Sequence, residues 1–100
     1  MLDFDAAYTV LVEECAAPDG DWDRPAFMAS IEQTLTSEFH TGYVEYRFCG
    51  ALGFGGKFRY DPFDNRWYVD CYREDETPER LAMIEQANRR LADLVKAGAS

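Results

Sequence analysis

The chain predicts an α+β fold, a three-stranded antiparallel β-meander with helices packed on one face, in the order ααβββα. Three observations predict it. The stretch from Tyr43 to Arg73 contains three short runs in which apolar and polar residues alternate, the period of a half-buried strand. Two stretches before it and one after it repeat their apolar residues at helical spacing, each behind an Asp or Thr that can cap a helix. The links between the strands are short and built from Gly, Pro, Asp and Asn, which joins neighbours antiparallel. One hundred residues make one domain, 1–100, with enough chain for one core without staples.

Residues 3–17 read as the first helix, with Phe4, Tyr8, Leu11, Val12 and Cys15 recurring on one side and Asp3 or Asp5 at its start. Ala16-Ala17-Pro18 ends it, because a proline disfavours helical geometry in the residue before it. Asp19-Gly20-Asp21-Trp22-Asp23-Arg24 is a polar turn that carries a tryptophan. Asp23 as a cap and Pro25 close to the first helical position open a second helix from about Arg24 to Phe39. Its apolar residues Phe27, Ile31, Leu35 and Phe39 are spaced by four, with Met28 and Thr34 beside them, and Gly42 is the natural stop.

The strands are Tyr43–Phe48, Phe54–Tyr60 and Arg66–Arg73. Alternation puts Val44, Tyr46 and Phe48, then Phe54, Phe58 and Tyr60, then Trp67, Val69 and Cys71 on one oily face that the helices must cover. Gly50-Ala51-Leu52-Gly53 suits the first turn, and Gly55-Gly56 implies a bulge or a close backbone approach. Asp61-Pro62-Phe63-Asp64-Asn65 is a turn sequence. Thr77 caps the last helix, Pro78 takes its first position, and Glu79 lies where the helix dipole favours an acid. Leu81, Ile84, Ala87, Leu91 and Leu94 or Val95 form its apolar stripe, Arg89, Arg90 and Lys96 lie towards its carboxyl end, and fraying is expected from Gly98 onward.

Charge is distributed unevenly. Residues 1–45 hold ten acids and a single base, Arg24, for a net of −9; residues 46–60 are net +3 and residues 61–100 net −3, giving −9 overall. Free duplex nucleic acid and anionic membrane surfaces are poor matches, because both are bound by Lys and Arg. Cys15, Cys49 and Cys71 are odd in number and form no CxxC pair, and neither a signal peptide nor a long apolar run is present, so a reduced, cytoplasmic, soluble protein is expected. Met1 without a tag-like sequence points to a complete natural product.

Several constellations have chemistry to offer. Asp19, Asp21 and Asp23 carry the one-three-five spacing of a calcium loop, but an EF-hand needs Gly at the sixth position and a bidentate Glu at the twelfth, where this chain has Arg24 and Ser30, with Pro25 at the seventh. A capped, solvated turn is the expectation. Gly50–Gly56 lacks the Gly-Lys-Ser/Thr ending of a phosphate loop. His40 beside Cys49 or Cys71 lacks any orienting spacing, and Cys71 alternates with Trp67 and Val69 as a small core residue. No catalytic residue, metal or cofactor is expected.

Two surfaces remain. Tyr43, Glu45, Arg47, Lys57, Arg59, Tyr68, Asp70 and Tyr72 share the outer sheet face. Tyr43, Arg47, Lys57, Arg59, Tyr68 and Tyr72 among them are the mixture that a single-stranded nucleic-acid platform uses. The alternative for this face is a solvated surface with cross-strand Glu–Arg and Asp–Arg pairs. The second surface is acidic: Glu13, Glu14, Asp19, Asp21, Asp23, Glu32 and Glu38 from the first two helices and their link, and Glu74, Asp75 and Glu76 before the last helix. Trp22 stands among those acids, and tryptophan is a preferred interface anchor. An acidic field also speeds encounter with a basic partner.

The helix–three strands–helix order resembles double-stranded RNA-binding domains. Their basic helix start is replaced here by Glu74-Asp75-Glu76-Thr77-Pro78-Glu79, so that activity does not carry over. The run Phe48-Cys-Gly-Ala-Leu-Gly-Phe-Gly-Gly-Lys-Phe58, continued by Trp67-Tyr-Val-Asp-Cys-Tyr-Arg-Glu-Asp-Glu-Thr-Pro-Glu-Arg80, resembles small proteins of bacteriophages and other mobile elements. In size and acidity the chain is similar to anti-CRISPR proteins and other phage-borne inhibitors. That similarity implies a non-enzymatic protein that occupies a nucleic-acid site on a host complex. The expected contact residues are Glu13, Glu14, Asp19, Asp21, Trp22, Asp23, Glu74, Asp75 and Glu76, and the expected partner is a basic host protein or ribonucleoprotein complex. Homodimerisation through the sheet edge or the last helix is compatible with the sequence.

Overall fold

Asp3 starts the first element: its Oδ1 accepts from the amide of Ala6 at 3.1 Å and caps α1, Phe4–Cys15. In this computed structural model, residues 2–36, 44–50, 54–61, 63–64 and 66–99 are described. The other elements are α2 (Asp23–Thr36), β1 (Val44–Cys49), β2 (Gly55–Asp61), β3 (Arg66–Cys71), a 3-10 turn at Arg73–Asp75 and α3 (Pro78–Ala99). The order is ααβββα, and the class is α+β. Glu38, Phe39, His40, Gly42, Tyr43 and the Ala51–Gly53 part of the first hairpin lie outside the described residues.

The sheet has the order β1-β2-β3 with both pairings antiparallel. Its rows follow the alternation: Tyr46, Phe58 and Val69 stand opposite one another, as do Phe48, Gly56 and Cys71. Phe58, Val69, Phe48 and Cys71 are buried, and Tyr46, Tyr60 and Trp67 pack against them at the margin. The helices supply the other half of the core. Phe27 of α2 sets its ring edge-on to Tyr46 at 5.0 Å and to Phe58 at 5.5 Å, with Tyr8 of α1 at 4.8 Å. Trp67 stacks on Phe58 at 5.3 Å and meets Phe4 of α1 edge-on at 5.0 Å. These aromatic contacts join α1 and α2 to the sheet through its middle strand.

Gly55-Gly56 is a close approach rather than a bulge, since the register with both neighbours runs through Gly56 without interruption. The Phe48 ring lies directly over Gly56, where an added Cβ would collide with it. Asp61 forms the expected turn, its Oδ1 accepting from Phe63 at 2.9 Å. Thr77 caps α3 as the sequence predicts, Oγ1 accepting from Arg80 at 3.1 Å, with Pro78 first in the helix.

Several expectations are corrected. α1 ends at Cys15, before Pro18 is reached, because Ala16 adopts the left-handed conformation (φ 55°) and the Ala17 amide reaches back to the Leu11 carbonyl at 3.2 Å. Asp23 is the first residue of α2 rather than its cap, and its Oδ2 reaches back to the Gly20 amide at 3.0 Å. Leu81 is 46 % exposed, as α3 begins beyond the sheet; its buried stripe is Ile84, Ala87 and Leu91. Leu35 is also exposed, and α3 runs through Gly98 to Ala99. Among the described residues no helix is long and apolar enough to cross a membrane.

Gly56→Ala should cost about 1–3 kcal/mol by overpacking against Phe48, read as a lower midpoint in a denaturant melt. Ala16→Gly should raise stability by about 1 kcal/mol in the same assay, because glycine carries no Cβ penalty at positive φ.

Candidate interaction surface

The acidic turn is held from both sides. At its start is Pro18, whose carbonyl accepts the Tyr8 hydroxyl. At its end is the Asp23–Gly20 pair, with the Asp23 amide returning to the Gly20 carbonyl at 3.2 Å. Arg24 then ties the turn to α1. Its Nε donates to Asp19 Oδ1 at 3.1 Å, and its Nη1 donates to Asp5 Oδ1 and the Asp5 carbonyl, both at 3.0 Å, and to Thr9 Oγ1 at 3.1 Å. The guanidinium also lies 5.1 Å from the Tyr8 ring centre. Trp22 projects from this fixed turn with 80 % of its surface in solvent. The Asp21 carboxylate beside it makes no hydrogen bond or ion pair among the described residues.

The other predicted acids are dispersed. Glu13 and Glu14 are drawn to Arg90 of α3, at 3.6 and 3.0 Å, where they clamp α1 against α3. Glu32 is exposed on α2. Asp75 points towards Arg80, Nη1 of which also donates to the Asp75 carbonyl at 2.9 Å. Glu74 and Glu76 are exposed, and their carboxylates make no hydrogen bond or ion pair among the described residues. The structure therefore brings Asp19, Asp21, Trp22 and Asp23 together, separates Glu13 and Glu14 from them towards α3, and leaves Glu74–Glu76 as a distinct group at the end of β3. Asp19 and Asp23 are engaged with Arg24 and Gly20, so they work as turn fasteners as well as charges.

Tyr43 lies outside the described residues; from Glu45 onward the outer sheet face carries the predicted side chains, and its cations are engaged. Arg59 lies 3.4 Å from Glu45 and 3.5 Å from Asp70, and Arg47 lies 2.8 Å from Glu45. Lys57 stands 4.6 Å over the Tyr72 ring, and Arg66 and Arg59 stand 4.9 and 5.9 Å from the Tyr68 ring. The Tyr68 and Tyr72 rings are thus each approached by cations of the protein itself. Sequence reasoning passed over Phe63, 96 % exposed at the β2–β3 turn, although its place inside Asp61–Asn65 already put it outside the alternation. It also passed over a shallow apolar groove of about 400 Å³ lined by Phe4, Met28, Ile31 and Leu35.

Cys15 and Cys71 are buried and Cys49 is exposed. Burial pushes the Cys15 thiol from its ordinary 9.0 to about 12, with the Glu14 carboxylate adding to the effect. Burial likewise raises the Tyr8 hydroxyl, helped by Tyr46, Asp23 and Asp19. The unfolded chain releases these protons at lower pH than the folded one. The stability they contribute is therefore complete below about pH 9 and declines as pH rises towards 12. Thermal melts between pH 7 and 11 should show that alkaline decline, with a shallower slope for Cys15→Ala. A thiol reagent at pH 8 should modify Cys49 in the folded protein, and Cys15 and Cys71 only after unfolding.

Compared with known proteins, the chain matches no family model, no curated protein and no solved structure.

Proposed function

We propose that the protein is a small, acidic, non-enzymatic binding protein that docks on a basic nucleic-acid-binding surface of a host protein or ribonucleoprotein complex, as phage-type anti-CRISPR-like inhibitors do. The observation that carries this reading is Trp22, 80 % exposed at the tip of a turn fastened by Asp23 and Arg24 and flanked by Asp19 and Asp21. A large apolar side chain held in solvent by a rigid turn loses little conformational freedom when a partner covers it. The carboxylates around it favour a cleft lined with Arg and Lys, the composition of a site that normally holds phosphates. Glu74 and Glu76 offer a second, weaker acidic contact.

Asp21→Lys and Trp22→Ala are the informative substitutions, because neither side chain fastens the turn, whereas Asp19 and Asp23 do. Pull-down from host lysate should retain a defined basic complex with the unaltered protein. Trp22→Ala should weaken that retention by about thirtyfold, the effect of losing an interface anchor worth about 2 kcal/mol. Retention of the same complex, undiminished, by the Asp21→Lys/Trp22→Ala double variant would overturn the reading.

A further inference from the structure

Within the turn that carries Trp22 lies the chain's one Asp-Gly step, Asp19-Gly20, and the sequence holds no Asn-Gly. An aspartate followed by glycine is prone to attack by its own backbone. The glycine amide nitrogen, unshielded by any side chain, can bond to the aspartate Cγ. That closure expels one water as a succinimide forms, and water then reopens the ring at either carbonyl. One opening restores aspartate. The other passes the main chain through the former side-chain carboxyl and leaves isoaspartate. No oxidant, metal or enzyme takes part, so the step is reactive wherever the fold does not restrain it.

Both reacting groups are already engaged by the residues that follow. The Gly20 amide donates to Asp23 Oδ2 at 3.0 Å, and the Asp23 amide returns to the Gly20 carbonyl at 3.2 Å. The Asp23 carboxylate lies so close to Gly20 that a Cβ there would meet its Oδ2 at 2.9 Å. To attack, the nitrogen must lose its proton and direct the freed electron pair at Asp19 Cγ. That pair lies along the N–H bond, which points at Asp23, and a carboxylate disfavours a second anion beside it. Asp19 is held separately, its Oδ1 accepting from Arg24 Nε at 3.1 Å. Arg24 is itself anchored on α1 through Asp5 and Thr9, which fixes the carboxylate it holds.

We infer that Asp19-Gly20 is a latent modification site, an isoaspartate-forming step that Asp23 and Arg24 keep closed while the turn is folded. Reaction then requires local opening, and its rate follows the fraction of molecules in which these hydrogen bonds are released. A single event has a lasting local effect. Isoaspartate adds one methylene to the main chain and takes one from the carboxylate arm. Arg24 Nε loses its partner, so the turn keeps only the Asp5 and Thr9 links of that guanidinium to α1. Trp22, three residues beyond Asp19, is then carried on a longer and less fastened backbone. The neighbouring Asp21-Trp22 step is an internal comparison, because there the attacking amide belongs to a bulky residue. The inference stands on the chemistry of the turn and is independent of what Trp22 docks on.

The test incubates the whole chain in neutral buffer, folded and in guanidinium chloride, and follows position 19 by peptide mapping. Isoaspartate is read as a shifted retention at unchanged mass, and the succinimide as a mass lower by one water. The folded chain should isomerise about tenfold or more slowly than the denatured one, because only opened molecules react. Asp23→Ala frees the Gly20 amide and Arg24→Gln releases the Asp19 carboxylate. Each folded variant should isomerise about fivefold faster than the unaltered chain, the effect of losing one hydrogen bond that keeps the turn closed. Circular dichroism checks that each variant is folded. Should Arg24→Gln fail to fold, Asp23→Ala, which removes a single acceptor, carries the measurement. The comparison of folded with denatured unaltered chain stands in every case. Equal rates in the folded and denatured chain, or a folded Asp23→Ala variant no faster than the unaltered protein, would each overturn the proposal.

Discussion

The two-residue period of β2 is the constraint from which the rest of the structure follows. Phe58 on one side of that strand touches Phe27 and Trp67, and through them α2 and α1. Arg59 on the other side lies between Glu45 and Asp70. A slip of one residue would exchange these two sets, burying a guanidinium among rings and exposing Phe58, so the register is strongly specified. Gly56 belongs to the same constraint: with no side chain there, the Phe48 ring fills the space over the middle strand that a larger residue would occupy. The parity that sorts side chains by face also sorts peptide groups by edge, and on β3 it turns both backbone groups of Val69 to the Asn88 carboxamide.

Acidity on this scale carries a cost in self-repulsion, and the scarce bases are placed to reduce it. Arg24 is the single base of the first 45 residues and serves Asp5 and Asp19 together. Arg90 does the same for Glu13 and Glu14, and each of these cations also joins two elements that are distant in sequence. The pairs are partly exposed, so each contributes modestly, but their arrangement decides which acids remain available. Among the described residues Asp21, Glu74 and Glu76 are left without an ion pair, as are Glu32, Asp64, Glu79 and Asp93.

The sheet faces, the caps at Asp3 and Thr77 and the Asp61 turn were legible in the sequence because each depends on residues within a few positions. The end of α1 was not. Nothing about an alanine at position 16 announces a left-handed residue, and the conformation is held by the burial of Ala17 and the return of the chain to Tyr8. Leu81 reads as part of a stripe by spacing, yet its turn of α3 lies past the sheet it would cover. At the candidate surface, the setting of Trp22 among aspartates was visible directly. The engagement of Glu14 by Arg90, 76 residues away, and of Val69 by Asn88, 19 residues away, depends on tertiary placement that local pattern does not encode.

Trp22 can remain in solvent without loosening the fold because the turn does not depend on it. The fastening comes from Asp23 to Gly20, from Arg24 to Asp5, Asp19 and Thr9, and from Tyr8 to Pro18, none of which uses the indole. Stability and exposure are thus separated within one short turn: it is ordered by its neighbours, and its most apolar side chain is left in solvent. An indole kept in solvent for no purpose adds a liability to aggregate that most turns avoid with a smaller polar residue. The surrounding aspartates limit that liability by repelling other copies at this point, and the same charges attract a cationic surface. In the proposed reading, electrostatic selection and apolar anchoring would act at one place on the molecule, and the hydrogen bonds that fasten the turn would keep the ordering cost of using them low.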